Sequence, residues 1–133
     1  MLSGDSDPIG TILLVDDDKD LREFLYMHLL HCGHSVLQAG SGYEAIERFQ
    51  HNSQDIDILV TDIVMPDLSG DQLALRLCKE KPGLPVLFIS GNSPAHLHPA
   101  LPLHEGINFL RKPFSIETLE KAIANLLPTE AHN

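Results

Sequence analysis

Asp16 and Asp17, Asp62, Ser90 and Lys112 are the side chains of this sequence whose types could act together. Each follows a short apolar run: ILLV before the acidic pair, DIDILVT before Asp62, PVLFI before Ser90 and Ile107–Leu110 just before Lys112. Parallel strands of one open sheet bind ligands outside their carboxyl ends. Such a sheet would bring three carboxylates, a hydroxyl and an ammonium to a single edge. Carboxylates about 4 Å apart repel by roughly 4 kcal/mol at an effective dielectric of 20, so a cation is the natural remedy. Oxygen donors without Cys or His at these positions describe magnesium better than zinc. A site of this kind suits an incoming phosphoryl group. The metal bridges phosphoryl oxygens, Ser90 and Lys112 take the remaining ones, and Asp62 is the natural in-line nucleophile. Singly these residues have plainer roles. Acidic residues after a strand cap helices or line solvated turns, as Asp18 is expected to do, and a lone Ser or Lys is usually a surface group. Their coincidence at one predicted edge favours chemistry.

The elements that would position them alternate strand and helix. Thr11–Val15 reads as a strand buried on both faces. In the helix after it, Leu21, Phe24, Leu25, His28, Leu29 and Cys32 recur at spacings of three and four, with Asp18 or Asp20 as N-cap and Gly33 at C′. Phe24 is expected in the core with Leu21, Leu25 and Leu29. His34–Ala39 reads as the second strand, and the helix beyond Gly40-Ser41-Gly42 has Ala45, Ile46 and Phe49 on one face. Asp55–Thr61 is the third strand. After the turn at Met65–Gly70 comes a helix carrying Leu73, Leu75 and Leu77, some of them off the core face, which Lys81-Pro82-Gly83 closes. Pro85–Ser90 and Ile107–Leu110 are the fourth and fifth strands, and Ser115–Leu127 is a final amphipathic helix with Ile116, Leu119, Ile123 and Leu126 inward. Five such repeats with short connections imply a doubly wound parallel sheet. Pro94, Pro99 and Pro102 interrupt the stretch between Ser90 and Ile107, where proline inside a helix costs about 3 kcal/mol. At most a short or broken fourth helix is expected there.

Composition narrows the classes. The 133 residues carry 19 acidic and 9 basic side chains, a formal charge of −10, and 43% are apolar. That length fits one domain able to bury a core without disulfides. The acidic balance argues against a broad nucleic-acid surface, which needs clustered Lys and Arg. Cys32 and Cys78 give no disulfide framework, so a reducing cytoplasm is the expectation. No run approaches the length of a membrane span, and no membrane insertion is expected. The domain is expected over residues 11–127, with 1–10 as a flexible leader and 128–133 as a C-terminal tail.

ILLVDDD at 12–18, LVTDIVMPDLSG at 59–70, PVLFIS at 85–90 and FLRKPF at 109–114 together resemble the receiver domain of two-component response regulators. The resemblance implies a flavodoxin-like (CheY-like) α/β fold with a five-stranded parallel sheet of order 2-1-3-4-5 flanked by helices. It implies that Asp62 is the phosphoacceptor, that Asp17 and Asp62 ligate Mg2+ (or Mn2+) directly with the Val64 carbonyl, and that Asp16 acts largely through water. By the same resemblance Ser90 binds the phosphoryl group, Lys112 pairs with the acceptor, and the Lys112–Pro113 bond is cis. Phe109 stands at the aromatic switch position, turning inward as Ser90 moves toward the phosphate. The implied partner is a histidine kinase or histidine phosphotransfer domain that offers a phosphohistidine to the face containing the first helix. The chain would phosphorylate and dephosphorylate itself with no separate substrate turnover.

Where the chain departs from the family's pattern, expectations change. The proline-rich stretch falls on the usual fourth helix, a common output and dimer face, so a homodimer is left open. Gly91 follows Ser90 where Ala is frequent, and LFISG resembles receivers fused to hybrid sensor kinases. With no output domain after Asn133, a stand-alone receiver or a piece of such a kinase is expected. Val64 and Asn92 occupy positions that tune phosphate hydrolysis, and apolar Val64 implies a long-lived phosphate. Other readings are a small aspartyl phosphohydrolase, disfavoured by the missing Asp-x-Asp pattern, and a pseudo-receiver, disfavoured by five filled site positions. His96, His98 and His104 are a weak metal alternative.

Overall fold

The structure, a computed structural model, describes residues 9–91, 103–104 and 106–127. The element order is β1 (Thr11–Val15), α1 (Lys19–His31), β2 (Ser35–Ala39), α2 (Gly42–Asn52), β3 (Ile58–Asp62), α3 (Gly70–Glu80), β4 (Val86–Ser90), β5 (Phe109–Arg111) and α4 (Ile116–Leu126). The strands form one parallel sheet of order β2-β1-β3-β4-β5. The doubly wound parallel sheet read from the apolar runs is thus the one observed, in the flavodoxin-like strand order that the resemblance implied. Most of the Pro-rich stretch, including Pro94, His96, His98, Pro99 and Pro102, lies outside the described residues, as do residues 1–8 and 128–133.

Side-chain alternation along the strands explains why both faces of the sheet need covering. Leu13 and Val15 of β1 point with Leu59 into a cluster shared with α2 and α3, built around Ala45, Phe49, Leu73 and Leu77. Ile12 and Leu14 point the other way, with Ile58, Val60 and Leu87, onto Leu25 and Leu29 of α1 and Leu119 and Ile123 of α4. Each fully buried Leu or Ile contributes roughly 1.5–3 kcal/mol, so the central strands are the best-anchored part of the fold.

The helix starts follow from one device repeated. Asp18, Ser41, Ser69 and Ser115 are the N-caps of α1 to α4, and each accepts a backbone N–H three residues on. α1 ends at Cys32 and Gly33, whose φ of +103° places it in the left-handed region that glycine tolerates. Ile9 and Gly10 are tied to the next turn by Ile9 N–H to the Gly33 carbonyl and Ser35 N–H to the Gly10 carbonyl.

Three expectations are corrected. Phe24 is not in the core; it is 52% exposed, and its ring meets His28 at 4.5 Å on the flank of α1. Leu21, Leu25 and Leu29 form the inward stripe, and at about 100° per residue Phe24 falls a quarter-turn away from it. The fifth strand begins at Phe109, not Ile107, because Ile107 and Asn108 both donate to the His104 carbonyl in a turn that leaves Ile107 exposed. The third strand begins at Ile58, since the N–H groups of Asp55 and Ile56 return to the Asn52 carbonyl at the end of α2.

Candidate functional site

β1, β3 and β4 end side by side, and the residues at their carboxyl ends meet. The Asp16 N–H continues the sheet by donating to the Ala39 carbonyl, which turns its carboxylate inward to full burial. One oxygen, Oδ1, accepts the Asp18 N–H at 2.9 Å and closes a tight turn, leaving Asp18 to cap α1 while Asp17 stays exposed. Asp62 is the last residue of β3 and is held from behind: Thr61 Oγ1 donates to its carbonyl at 2.8 Å. The Val64 N–H lies 3.4 Å from Asp62 Oδ1. Val64 itself is 57% exposed on the loop beyond β3.

Gly70 makes this loop possible. Its N–H donates to the Ile63 carbonyl at 2.7 Å, and a Cβ there would stand 2.0 Å from the Asp62 carbonyl oxygen. Backbone therefore passes backbone at contact distance directly behind the end of β3.

Lys112 closes the far side. Its Nζ donates to Asp62 Oδ2 at 3.0 Å and to Asp16 Oδ2 at 3.2 Å, and its N–H donates to the Ser90 carbonyl at 2.8 Å. The Lys112–Pro113 bond is cis. Ser90, the last residue of β4, is buried beside this junction. Phe109 lies two residues before Arg111 on β5, opposite Phe88, with its ring fully buried in the cluster beneath α2 and α3. That inward position is the one assigned to the phosphorylated state in the resemblance.

Charge at the site is unbalanced. Carboxylate oxygens of Asp16, Asp17 and Asp62 lie within 4.8 Å of one another, and no other group of this kind occurs among the described residues. Lys112 offsets one of the three charges. Burial pushes the Asp16 carboxyl up from its ordinary value, and the Asp62 carboxylate adds to the rise; the Asp18 N–H and Lys112 work against it without cancelling it. Burial alone would lower Lys112, but the hydrogen bond and charge of Asp62, then those of Asp16, raise it. Two uncompensated negative charges facing each other through oxygen atoms fit a divalent, oxygen-preferring ion such as Mg2+.

Asp16, Asp17, Asp62 and Lys112 are thus brought together, with Ser90 adjoining through the backbone, while Phe109 stands in the core. His104 is exposed and takes part in no such group among the described residues. Three neighbours escaped the sequence reading: Arg22, Asp67 and Gly70. Asp67 accepts the N–H groups of Gly42 at 3.1 Å and Tyr43 at 3.0 Å. What burial it has would raise its carboxyl, but these bonds and those of Leu68 and its own N–H outweigh that and hold it below the usual range. Only Gly70 had a local signal, a glycine just after a Ser that caps a helix.

Comparison with known proteins places this geometry among relatives. A family described as the response regulator receiver domain matches residues 12–124. The response regulator receiver protein CpdR of Brucella abortus is 36% identical over 116 residues, which cover 87% of this chain and 95% of that protein. The sensor kinase CckA of the same organism is 34% identical over 118 residues, 89% of this chain but 12% of that protein. Among solved structures, the receiver domain of the hybrid histidine kinase CckA superposes with a TM-score of 0.75 at 32% identity, covering 90% of this chain and 100% of that one. The response regulator TrrA of Thermotoga maritima, crystallised with Mg2+-BeF, gives 0.74 at 26% identity, again covering 90% and 100%.

Proposed function

This chain belongs to the response regulator receiver family of two-component signalling, and from that premise we propose that Asp62 accepts a phosphoryl group from a phosphohistidine in a Mg2+-dependent reaction. The observation that supports this most is the placement of the Asp62 carboxylate, which ends β3 between the acidic pair and the Lys112 ammonium. In the proposed step an Asp62 oxygen forms a bond to phosphorus as the bond from phosphorus to the histidine nitrogen breaks, its electron pair leaving with the imidazole. Asp16, Asp17, Asp62 and the Val64 carbonyl would hold the metal, which supplies positive charge against the phosphoryl oxygens. Lys112 holds the acceptor carboxylate in place and, as the negative charge moves outward onto the phosphoryl group, follows it from Asp62 to those oxygens. The Ser90 hydroxyl donates to another phosphoryl oxygen, and Phe109, already buried in the core, keeps that position once the phosphoryl group is in place.

We assign the domain to residues 11–127, the partner to a histidine kinase or histidine phosphotransfer domain, the compartment to the cytoplasm, and no turnover of a separate substrate. Among the described residues no helix is long and apolar enough to cross a membrane. The Mg2+-BeF complex of TrrA supports the metal and phosphoryl parts of this reading by similarity. A phosphorylated histidine kinase domain mixed with the chain tests it directly. Radiolabel should pass to the chain with Mg2+, fail to pass in EDTA, and fail in Asp62→Asn; labelling of Asp62→Asn at the parent rate would refute it.

A further inference from the structure

We propose that the β2–α2 corner, residues 38–43, is the gauge that sets the spacing between the two loops bearing the metal ligands, and that Arg22 and Asp67 are the positioning residues that transmit it. This rests on the magnesium reading of the acidic cluster. Asp16 and Asp17 stand on the loop after β1, Asp62 and Val64 on the end of β3 and the loop after it, and the two loops reach the same corner from different sides.

From the first side, Arg22 Nη1 donates to the Asp16 carbonyl at 2.7 Å and Arg22 Nε donates to Gln38 Oε1 at 3.0 Å. One planar guanidinium thereby fixes the backbone of the acidic pair to the end of β2, a two-point grip that a lysine cannot reproduce. The Gln38 carbonyl is itself held by Arg48 Nε at 3.0 Å, and the Gly40 N–H by Glu44 Oε1 at 2.7 Å. From the second side, both oxygens of Asp67 take the first N–H groups of α2, those of Gly42 and Tyr43. Contact is close here too, since a Cβ on Gly42 would stand 2.6 Å from Leu68 Cβ.

Mg2+ demands near-ideal octahedral geometry with short metal–oxygen distances, so a small drift between the loops should weaken binding. None of the bonds described touches the metal position. Their effect on it is through the backbone alone.

The test is Mg2+ titration by isothermal calorimetry, with Mg2+ as the only ligand, alongside thermal melting in EDTA. Arg22→Gln and Asp67→Ala should each weaken Mg2+ binding by about tenfold, the lower end of what outer-shell partners contribute. Gln38→Leu should do the same, whereas Gln38→Glu, which keeps an acceptor for Arg22 Nε, should restore parent affinity. Ile123→Val trims a fully buried core side chain near the C-terminal end of α4, outside the site, and serves as a control for lowered stability. Weaker Mg2+ binding in Gln38→Leu, with rescue by Gln38→Glu, supports the proposal even if Arg22→Gln does not fold. Parent-like affinity in Gln38→Leu and Asp67→Ala, with melting lowered as in Ile123→Val, overturns it. A parent chain that binds no Mg2+ overturns the magnesium reading and this proposal together.

Discussion

Lys112→Met removes one cation from between two carboxylates and keeps most of the side chain's apolar stem. The ammonium lies 3.0 Å from Asp62 Oδ2 and 3.2 Å from Asp16 Oδ2, and the side chains of Lys112, Asp62 and Asp16 are 25%, 10% and 0% exposed. At 3 Å the gross attraction to one carboxylate is about 5–6 kcal/mol at an effective dielectric of 20. Most of that offsets the desolvation of the ion. Removing one member of a fully buried pair costs about 3–5 kcal/mol, and partial exposure of Lys112 brings the expected loss to about 2–3 kcal/mol. For a domain of this length that is a fall in Tm of roughly 7–11 °C. The loss should be seen in EDTA near neutral pH and shrink by more than half in millimolar Mg2+, because the ion takes over neutralising Asp16 and Asp62. The sign with pH is fixed by the same pairing. Lys112 is raised in the fold, so its contribution is full below its unfolded pKa of about 10.4 and is lost as pH rises through the folded value. Calorimetric melts across pH with and without Mg2+ read all of this. An equal Tm loss in EDTA and in Mg2+ would refute the argument that ammonium and metal answer the same charge.

Gly70→Ala should cost about 3 kcal/mol or more by urea denaturation, because its Cβ would meet the Asp62 carbonyl oxygen at 2.0 Å and neither backbone can yield cheaply; a loss below about 1 kcal/mol would show the loop to be more pliant than this. Leu25→Ala and Phe24→Ala, adjacent on α1 but on different faces, should separate sharply, with about 2–5 kcal/mol for buried Leu25 and under about 1 kcal/mol for exposed Phe24. Comparable losses would return Phe24 to the core. Asp16, raised by burial, makes the metal-free protein more stable below the unfolded carboxyl value and less so as pH rises through the folded one. Mg2+ binding should therefore release more protons at about pH 5 than at about pH 8, measured by titration in buffers of different ionisation enthalpy, and equal release would contradict the Asp16 assignment.

The alternation of strand and helix, the two-faced core and the meeting of Asp16, Asp17, Asp62 and Lys112 could be read from the chain because each depends on local signals: apolar runs, capping residues and the polar residue at the end of each strand; the strand order came from the family resemblance. Element ends were less legible. Ile107 and Asp55 continue an apolar or β-rich pattern, yet in the fold their neighbourhoods are turns closed by the His104 and Asn52 carbonyls, contacts that no periodicity encodes. Phe24 satisfies an i, i+4 pattern with His28 as well as it would with the core stripe, and its ring packs on that partner. Arg22 and Asp67 were invisible for a different reason. Their partners, Gln38 and the start of α2, are 16 and 24–25 residues away, joined only by the fold.

That Asp62 is the phosphoacceptor is the claim on which the rest depends. The most direct measurement phosphorylates the chain with acetyl phosphate and Mg2+, reduces the acyl phosphate with borohydride, and sequences the peptides by mass spectrometry. Homoserine is expected at position 62. Homoserine at 16, 17 or 67 with none at 62 would contradict it.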